Sequence, residues 1–492
     1  MKKPLKWILI AALAAAAAAL AVGLLLDVNA KKLSYKPYEH SITYFYADRE
    51  GSTRFFVDSA LLENKIAGRV DEFISCDGAV GAARAGTGLY RIDKDGVILV
   101  HPAGVQNALI SLDGNVIVFT TATEVHIYDH RTGKVEDIKP DSAMSIASIV
   151  VSPDGKTVGY TVKNADGGLY AYAHENGESR KIANDALIMA VGDGAKFFYY
   201  VTPDDVALFY ATPERARKLG TGVSSLLEFN RDLTEVTFDM NGVTYYSVKG
   251  SRAKTLVEGA SVFSTVAECG SSQGGSGLTA QVKDASTLFN AVFYSFKNSS
   301  SDTEARTIYD LYYVNGHKNV TALARGAYQF ALSGDRKTLS CLMGNELYAM
   351  DSDDPKTAEK VCSNVYSYSM DKGGRIFYCI GGDLGFYYAE RGGQTLKMAE
   401  RAVFTRMTGS GGCLFLTDYD KTGALHLANG KQPIKDIAAN VAHVETMPKV
   451  SFYYTDVYED EFGAKVYDVY YSENGVDFVL GLEAARMDQS EE

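Results

Sequence analysis

Tryptophan is almost missing from this chain: one residue in 492, against 32 tyrosines and 22 phenylalanines. That one, Trp7, lies in the N-terminal apolar segment, so stacking on an indole, the usual means of gripping a sugar ring, is closed to everything after it. Cysteine is scarce too. Cys76, Cys269, Cys341, Cys362, Cys379 and Cys413 include no Cys-x-x-Cys pair, which argues against a zinc knuckle or a dithiol redox motif. Basic runs are lacking beyond the N-terminus and the net charge is -12, the wrong sign for a surface that tracks phosphates. Nucleic acid is therefore not an expected partner. Neither a phosphate-cradling P-loop nor a Gly-rich dinucleotide turn leading into a helix is found, and no cofactor is expected.

What is present begins with "MKKPLKWILIAALAAAAAALAVGLLLDVNAKK". Three lysines precede an uncharged run from Trp7 to Leu26, long enough to cross a bilayer as a helix. The basic flank, residues 1–6, belongs on the cytoplasmic side, which places the chain after Asp27 outside. A competing reading is a signal peptide cleaved after Ala30, although such apolar cores usually run only ~7–15 residues. Both readings export the chain. Residues 27–41 then form a linker, and 46% apolar with 22% charged residues describes an ordinary globular remainder.

Along that remainder one phrase recurs. "VVSPDGKTVGYT" at 150 is echoed by "SLDGNVIVFT" at 111, and more faintly by "SCDGAVGAAR" at 75, "VGDGAKFFYYV" at 191, "FNRDLTEVTF" at 229, "SGDRKTLSCL" at 333 and "SMDKGGRIFYCI" at 369. Gly78, Gly114, Gly155 and Gly194 follow one another at intervals of 36, 41 and 39 residues, a period typical of propeller blades. A second phrase trails each turn: "LYRIDKDG", "VHIYDHRTG", "LYAYAHENG", "LYYVNGHK", "LYAMDSDD" and "VYYSENG". Aromatic and β-branched alternation followed by Gly or Asn is the mark of a hairpin. A unit is then four antiparallel strands without a helix, apolar on both faces and unable to fold alone. In the Asp-Gly turn, Pro153 pre-sets φ, Asp154 bonds backbone across the turn and Gly155 takes a left-handed conformation.

These phrases resemble the repeat of TolB-like propellers, grouped loosely with WD40-like repeats, closely over residues 106–186 and faintly over 70–400. The Trp-Asp and Gly-His pairs of true WD40 units are missing. The resemblance implies an all-β propeller and no particular activity, since the family includes binding modules, scaffolds and the non-catalytic halves of peptidases. About eleven units fit between Ile42 and Ala485, the first without its leading strand, whereas single propellers hold ~4–8 blades. Two propellers in series are expected, 42–261 and 262–485. The stretched unit at 262–310, with "CGSSQGGSG" and "KNSSSDTEA", marks the seam, and 486–492 is an acidic tail.

Catalytic signatures are weak. "GSSQG" at 270–274 imitates a nucleophile elbow, but Ser272 lies among β repeats without the strand-to-helix turn that the elbow requires. His126 and His130 have a spacing that ligates zinc on a helix, and here they fall on a strand and hairpin. Asp418, Asp420 and Gly423 begin a calcium-loop pattern that fails at Asn429, where a bidentate Glu is needed. "DSDDP" at 351 reads as a solvated turn. Cys341, Cys379 and Cys413 fall on second strands of successive units, where a disulfide could form, but buried free thiols are the expectation. No catalytic, cofactor or metal residue is assigned, and no binding residue is identifiable.

The functional expectation is a membrane-anchored, single-pass, extracytoplasmic propeller that binds a protein, peptide or polysaccharide without transforming it. A propeller glycosidase or lyase with carboxylates converging on the channel, and a structural spacer in an envelope complex, are the alternatives. An uncleaved anchor predicts that the full-length protein fractionates with membranes and keeps residues 1–30 by intact mass. A mature N-terminus at Lys31 overturns the anchor and leaves export standing.

Overall fold

Runs of four to seven β-branched and aromatic residues, punctuated by Gly, Asn and Asp, leave little room for helix. The computed structural model describes residues 42–485 with interruptions, the longest at 268–278 and 299–306. Among the described residues the single helical element is a 3-10 turn at Asp193–Ala195; the regular structure is otherwise strand. The N-terminal apolar segment lies outside them, and no described helix is long and apolar enough to cross a membrane.

Five stretches, 72–101, 107–138, 145–184, 187–220 and 365–399, each form a four-stranded antiparallel meander in which every strand pairs with its neighbour in sequence. A three-stranded sheet, Ile42–Ala47, Thr53–Val57 and Ala60–Leu61, precedes them. Two sheets have seven strands, each with one long strand shared by its two halves; in the first, Ala260–Val262 pairs with Ala291–Asn298, skipping the strands between them. Asn319–Leu332 pairs through Ala324 with Leu311 behind it, and through Phe330 with Cys341 ahead. Lys435–Thr446 does the same, through Lys435 with Leu427 and through Thr446 with Ser451. The 223–258 sheet departs from the pattern. Beyond its four meander strands it takes in Thr279–Lys283, which runs parallel to the first strand, Val223–Phe229.

Burial follows strand position. Val116–Thr120 is buried along its whole length, and Cys413–Thr417 likewise, so these strands are covered on both faces. The fourth strands, Lys134–Ile138 and Glu178–Asn184, are largely exposed and carry the charges. Sheets therefore stack face to face with their fourth strands outward, the arrangement of β-propeller blades. Leu109, Val118 and Val125 of one sheet meet Ile149, Val158 and Val162 of the next. Val150 and Ala171 then meet Ile188 and Phe198, and farther on Phe377 and Phe386 meet Phe415. Each such Val, Leu, Ile or Phe contributes about 1.5–3 kcal/mol by leaving water.

The recurring turn joins the first two strands of a sheet. Gly155 N–H donates to the Ser152 carbonyl at 2.9 Å, Asp154 Oδ1 accepts from Lys156 N–H at 3.1 Å, and the Ser152 hydroxyl donates to Asp154 at 2.8 Å while accepting from Thr157 N–H at 3.0 Å. Ser111 and Asp113, and Ser333 and Asp335, repeat this network. The serine is as much part of the turn as the Asp-Gly pair. Glycine is less so than its recurrence suggests: the slot of Gly155 (φ 72°) and Gly114 (φ 70°) is filled by Ala195, Leu233 and Arg336 elsewhere, all at positive φ. Neighbouring turns are also tied together, since Asp154 N–H donates to Asp193 Oδ1 at 3.0 Å.

A Cβ at Gly155 would lie 2.9 Å from Val116 Cγ2 and 3.2 Å from Ser111 Cβ, against the preceding sheet. Gly155→Val should therefore lose more than the ~1–2 kcal/mol of a left-handed β-branched residue. Asp154→Asn, which keeps an acceptor oxygen, should lose far less. Denaturant unfolding of the two variants checks this, and equal losses would mean that the close approach does not matter.

Candidate functional site

A propeller most often works from its central axis, where the first strands of successive sheets converge. In the 107–258 region the first strands of four sheets meet over apolar side chains. Ile110, Val150, Met189 and Phe229 close upon a small cavity there with Leu112, Pro153 and Leu233 from the turns, and the inserted strand adds Val282. The space left is about 10 Å³, no more than one water could occupy, and its lining carries no ionisable side chain. The inserted strand is anchored by one charge pair: Lys283 Nζ lies 3.0 Å from Glu228 Oε1, both side chains only 4% exposed, while Thr237 donates to Glu228 Oε2 at 3.0 Å. The sequence placed a seam near residue 262. A return into the preceding sheet has no local signature and was not foreseeable.

His126 and His130 do not converge. His130 Nε2 lies 3.4 Å from Asp93 Oδ2, beside a fully buried ion pair in which Arg91 and Asp93 stand 2.6 Å apart. His126 is turned toward a different set. Its Nδ1 is 2.8 Å from Asp137 Oδ1, its Nε2 3.3 Å from the Thr121 hydroxyl and 3.8 Å from Glu124 Oε2. Phe119 stacks on its ring at 4.7 Å and His101 lies at 5.3 Å. Glu124 lies just ahead of the strand Val125–Asp129, two residues before His126, and counting outward from the hairpin puts Asp137 opposite His126. The register would have revealed the group, whereas the helix-type spacing of two histidines concealed it.

A second sheet repeats the arrangement. His426 Nδ1 is 2.8 Å from Asp436 and its Nε2 2.8 Å from the Thr417 hydroxyl, with Phe415 stacked at 5.1 Å. Hydroxyl, imidazole and carboxylate stand in the order of a nucleophilic triad. Their recurrence at matching cross-strand positions, each imidazole against a phenylalanine, identifies a relay that ties three strands together. Ala424 occupies the place that Glu124 holds in the first copy.

An open groove of about 420 Å³ lies between the 145–184 and 187–220 sheets. Glu175, Glu178 and Arg180 line one side and Lys196, Thr212 and Glu214 the other. The Thr212 hydroxyl bonds Glu214 at 2.8 Å and holds its carboxyl below the usual range. Charges of both signs face the groove, which suits an extended peptide better than an apolar ligand.

The remaining sequence candidates serve structure. Asp418 pairs with Arg401 at 2.9 Å, Gly423 opens the strand Gly423–Ala428, and no calcium loop assembles around Asp420 and Asn429. In "DSDDP", Asp351 pairs with Arg391, whose hydrogen bond lowers the Asp351 pKa, and Asp354 accepts from Lys356 N–H at 2.9 Å. Cys341, Cys362, Cys379 and Cys413 are free; burial pushes the Cys341 and Cys379 thiols up to about 12. Cys379 and Cys413 share one apolar cluster without bonding. Ser272, Cys76 and Cys269 lie outside the described side chains.

No protein-family model matches the chain, and no curated protein does. Solved structures that resemble it include the β-propeller domain of the trilobed protease from Pyrococcus furiosus, at 11% identity and TM-score 0.24, covering 70% of this chain and 97% of that one. Dipeptidyl peptidase 4 of Porphyromonas gingivalis matches at 11% identity and TM-score 0.39, over 80% of this chain and 67% of that one. An oligogalacturonate lyase in complex with manganese matches at 10% identity and TM-score 0.32, over 72% and 98%. Some of these neighbours are enzymes.

Lys283→Met should cost about 3–5 kcal/mol, because it leaves Glu228 charged and buried. Adding Glu228→Leu should restore most of the loss. Urea unfolding of both variants measures it, and a double variant no better than the single one would show that the ion pair does not seat the strand.

Proposed function

We propose that this chain is a membrane-anchored, extracytoplasmic TolB-like propeller protein that binds a protein or peptide and does not transform it. In this reading residues 7–26 are the anchor, and about eleven blade units are divided between two propellers, 42–261 and 262–485, with the strand Thr279–Lys283 of the second segment completing the last sheet of the first. The observation that carries the binding reading is the apolar cavity where the first strands of the 107–258 sheets meet. A glycosidase or lyase working from there needs converging carboxylates, and the side chains lining that cavity are all apolar. Recognition then falls to the mixed-charge groove, which offers both donors and acceptors to a peptide. The lack of tryptophan after Trp7 favours a polypeptide over a polysaccharide.

The test is capture from solubilised membranes with the full chain as bait, beside a variant carrying Arg180→Glu and Lys196→Glu. The groove reading expects a partner retained by the wild type and reduced at least tenfold in the variant. A wild-type bait that retains nothing above background overturns the binding function. Equal retention by both baits overturns the groove as the contact surface.

A further inference from the structure

The group around His126 can do more than brace its sheet. The geometry points to a divalent transition-metal site in which His126 Nε2 and Glu124 are the protein ligands and Asp137 is the orienting carboxylate. Asp137 can only accept, so in the neutral ring the hydrogen sits on Nδ1 and the lone pair on Nε2. That nitrogen accepts from the Thr121 hydroxyl at 3.3 Å and lies 3.8 Å from Glu124 Oε2, so two donor atoms suited to a cation stand close together. An ion ~2.0–2.1 Å from each donor at a tetrahedral angle needs them about 3.4 Å apart. A shift of a few tenths of an ångström in the Glu124 side chain, itself 30% exposed, supplies that.

The surroundings fit the same chemistry. A carboxylate on the far nitrogen fixes the ring's tautomer and orientation, as second partners of metal-bound histidines do. Phe119 stacks on the ring and His101 packs against both, and the Thr121 hydroxyl stands beside Nε2, where a metal-bound water could bond to it. One imidazole nitrogen with carboxylate oxygen suits Zn²⁺, Ni²⁺ or Co²⁺ better than Ca²⁺ or Mg²⁺. Two protein ligands leave positions open to water or to an outside donor. The competing cation is Lys139, whose Nζ lies 3.2 Å from Glu124 Oε1. The second copy of the relay is an internal control: it has the imidazole, the aspartate and the threonine, but Ala424 in place of the glutamate.

Isothermal titration of the full-length chain with Zn²⁺ tests the site, with Glu124→Gln, His126→Gln, Lys139→Met and His426→Gln as variants. The expectation is one saturable site, weakened at least tenfold by Glu124→Gln and by His126→Gln. It should be tightened severalfold by Lys139→Met, which removes the competing charge, and unmoved by His426→Gln. Glu124→Gln alters one partly exposed side chain, so it reads the site even if His126→Gln fails to fold. No saturable binding in the wild type, undiminished binding in Glu124→Gln, or loss in His426→Gln would each overturn the assignment.

Discussion

Everything in this molecule depends on the fact that its small sheets are apolar on both faces. A four-stranded meander such as 107–138 cannot shed that surface alone, because strands like Val116–Thr120 are buried from both sides. The solution is to stack each sheet on the next, so that Val118 and Val125 find Val158 and Val162, and Phe386 finds Phe415. The burial is sequential and nearest-neighbour, which lets the chain repeat one idea with little identity from unit to unit. The repeat needs only apolar character at the faces and a turn that reverses the strand in the same place.

The turn shows how far sequence reasoning reaches. Strand, turn and hairpin were readable because they are set locally: Ser152, Pro153, Asp154 and Gly155 each have a job within a few residues. The copy at 229 was legible only by its spacing, since Asn230 replaces the serine and Leu233 sits where glycine was expected. Leu233 tolerates its positive φ because the turn is closed by its own N–H bonding to the Asn230 carbonyl at 2.9 Å, and because its side chain is buried at the apolar cavity. Tertiary burial there outweighs the backbone preference that glycine would satisfy.

The chemistry was less legible, and for a physical reason. Groups that act together in a sheet are brought together by cross-strand register, and register is not a spacing that a motif can display. His126 was noticed for its distance in sequence from His130, yet its true companions are Glu124 beside it and Asp137 across the hairpin. Glu228 and Lys283 are farther still from any motif, being joined by a parallel pairing between segments more than fifty residues apart. The apolar cavity between the first strands belongs to the same category, since Val282 reaches it from a strand of the stretched 262–310 unit.

That late-arriving strand imposes an order of events on the growing chain. The four meander strands of the 223–258 sheet can pair as soon as they are made, but the apolar cavity beside them stays open until Thr279–Lys283 has followed. In the interval the first strand, Val223–Phe229, presents an open backbone edge, and Glu228 waits there without Lys283. Such an edge is a template for any passing strand, including one from a second nascent copy.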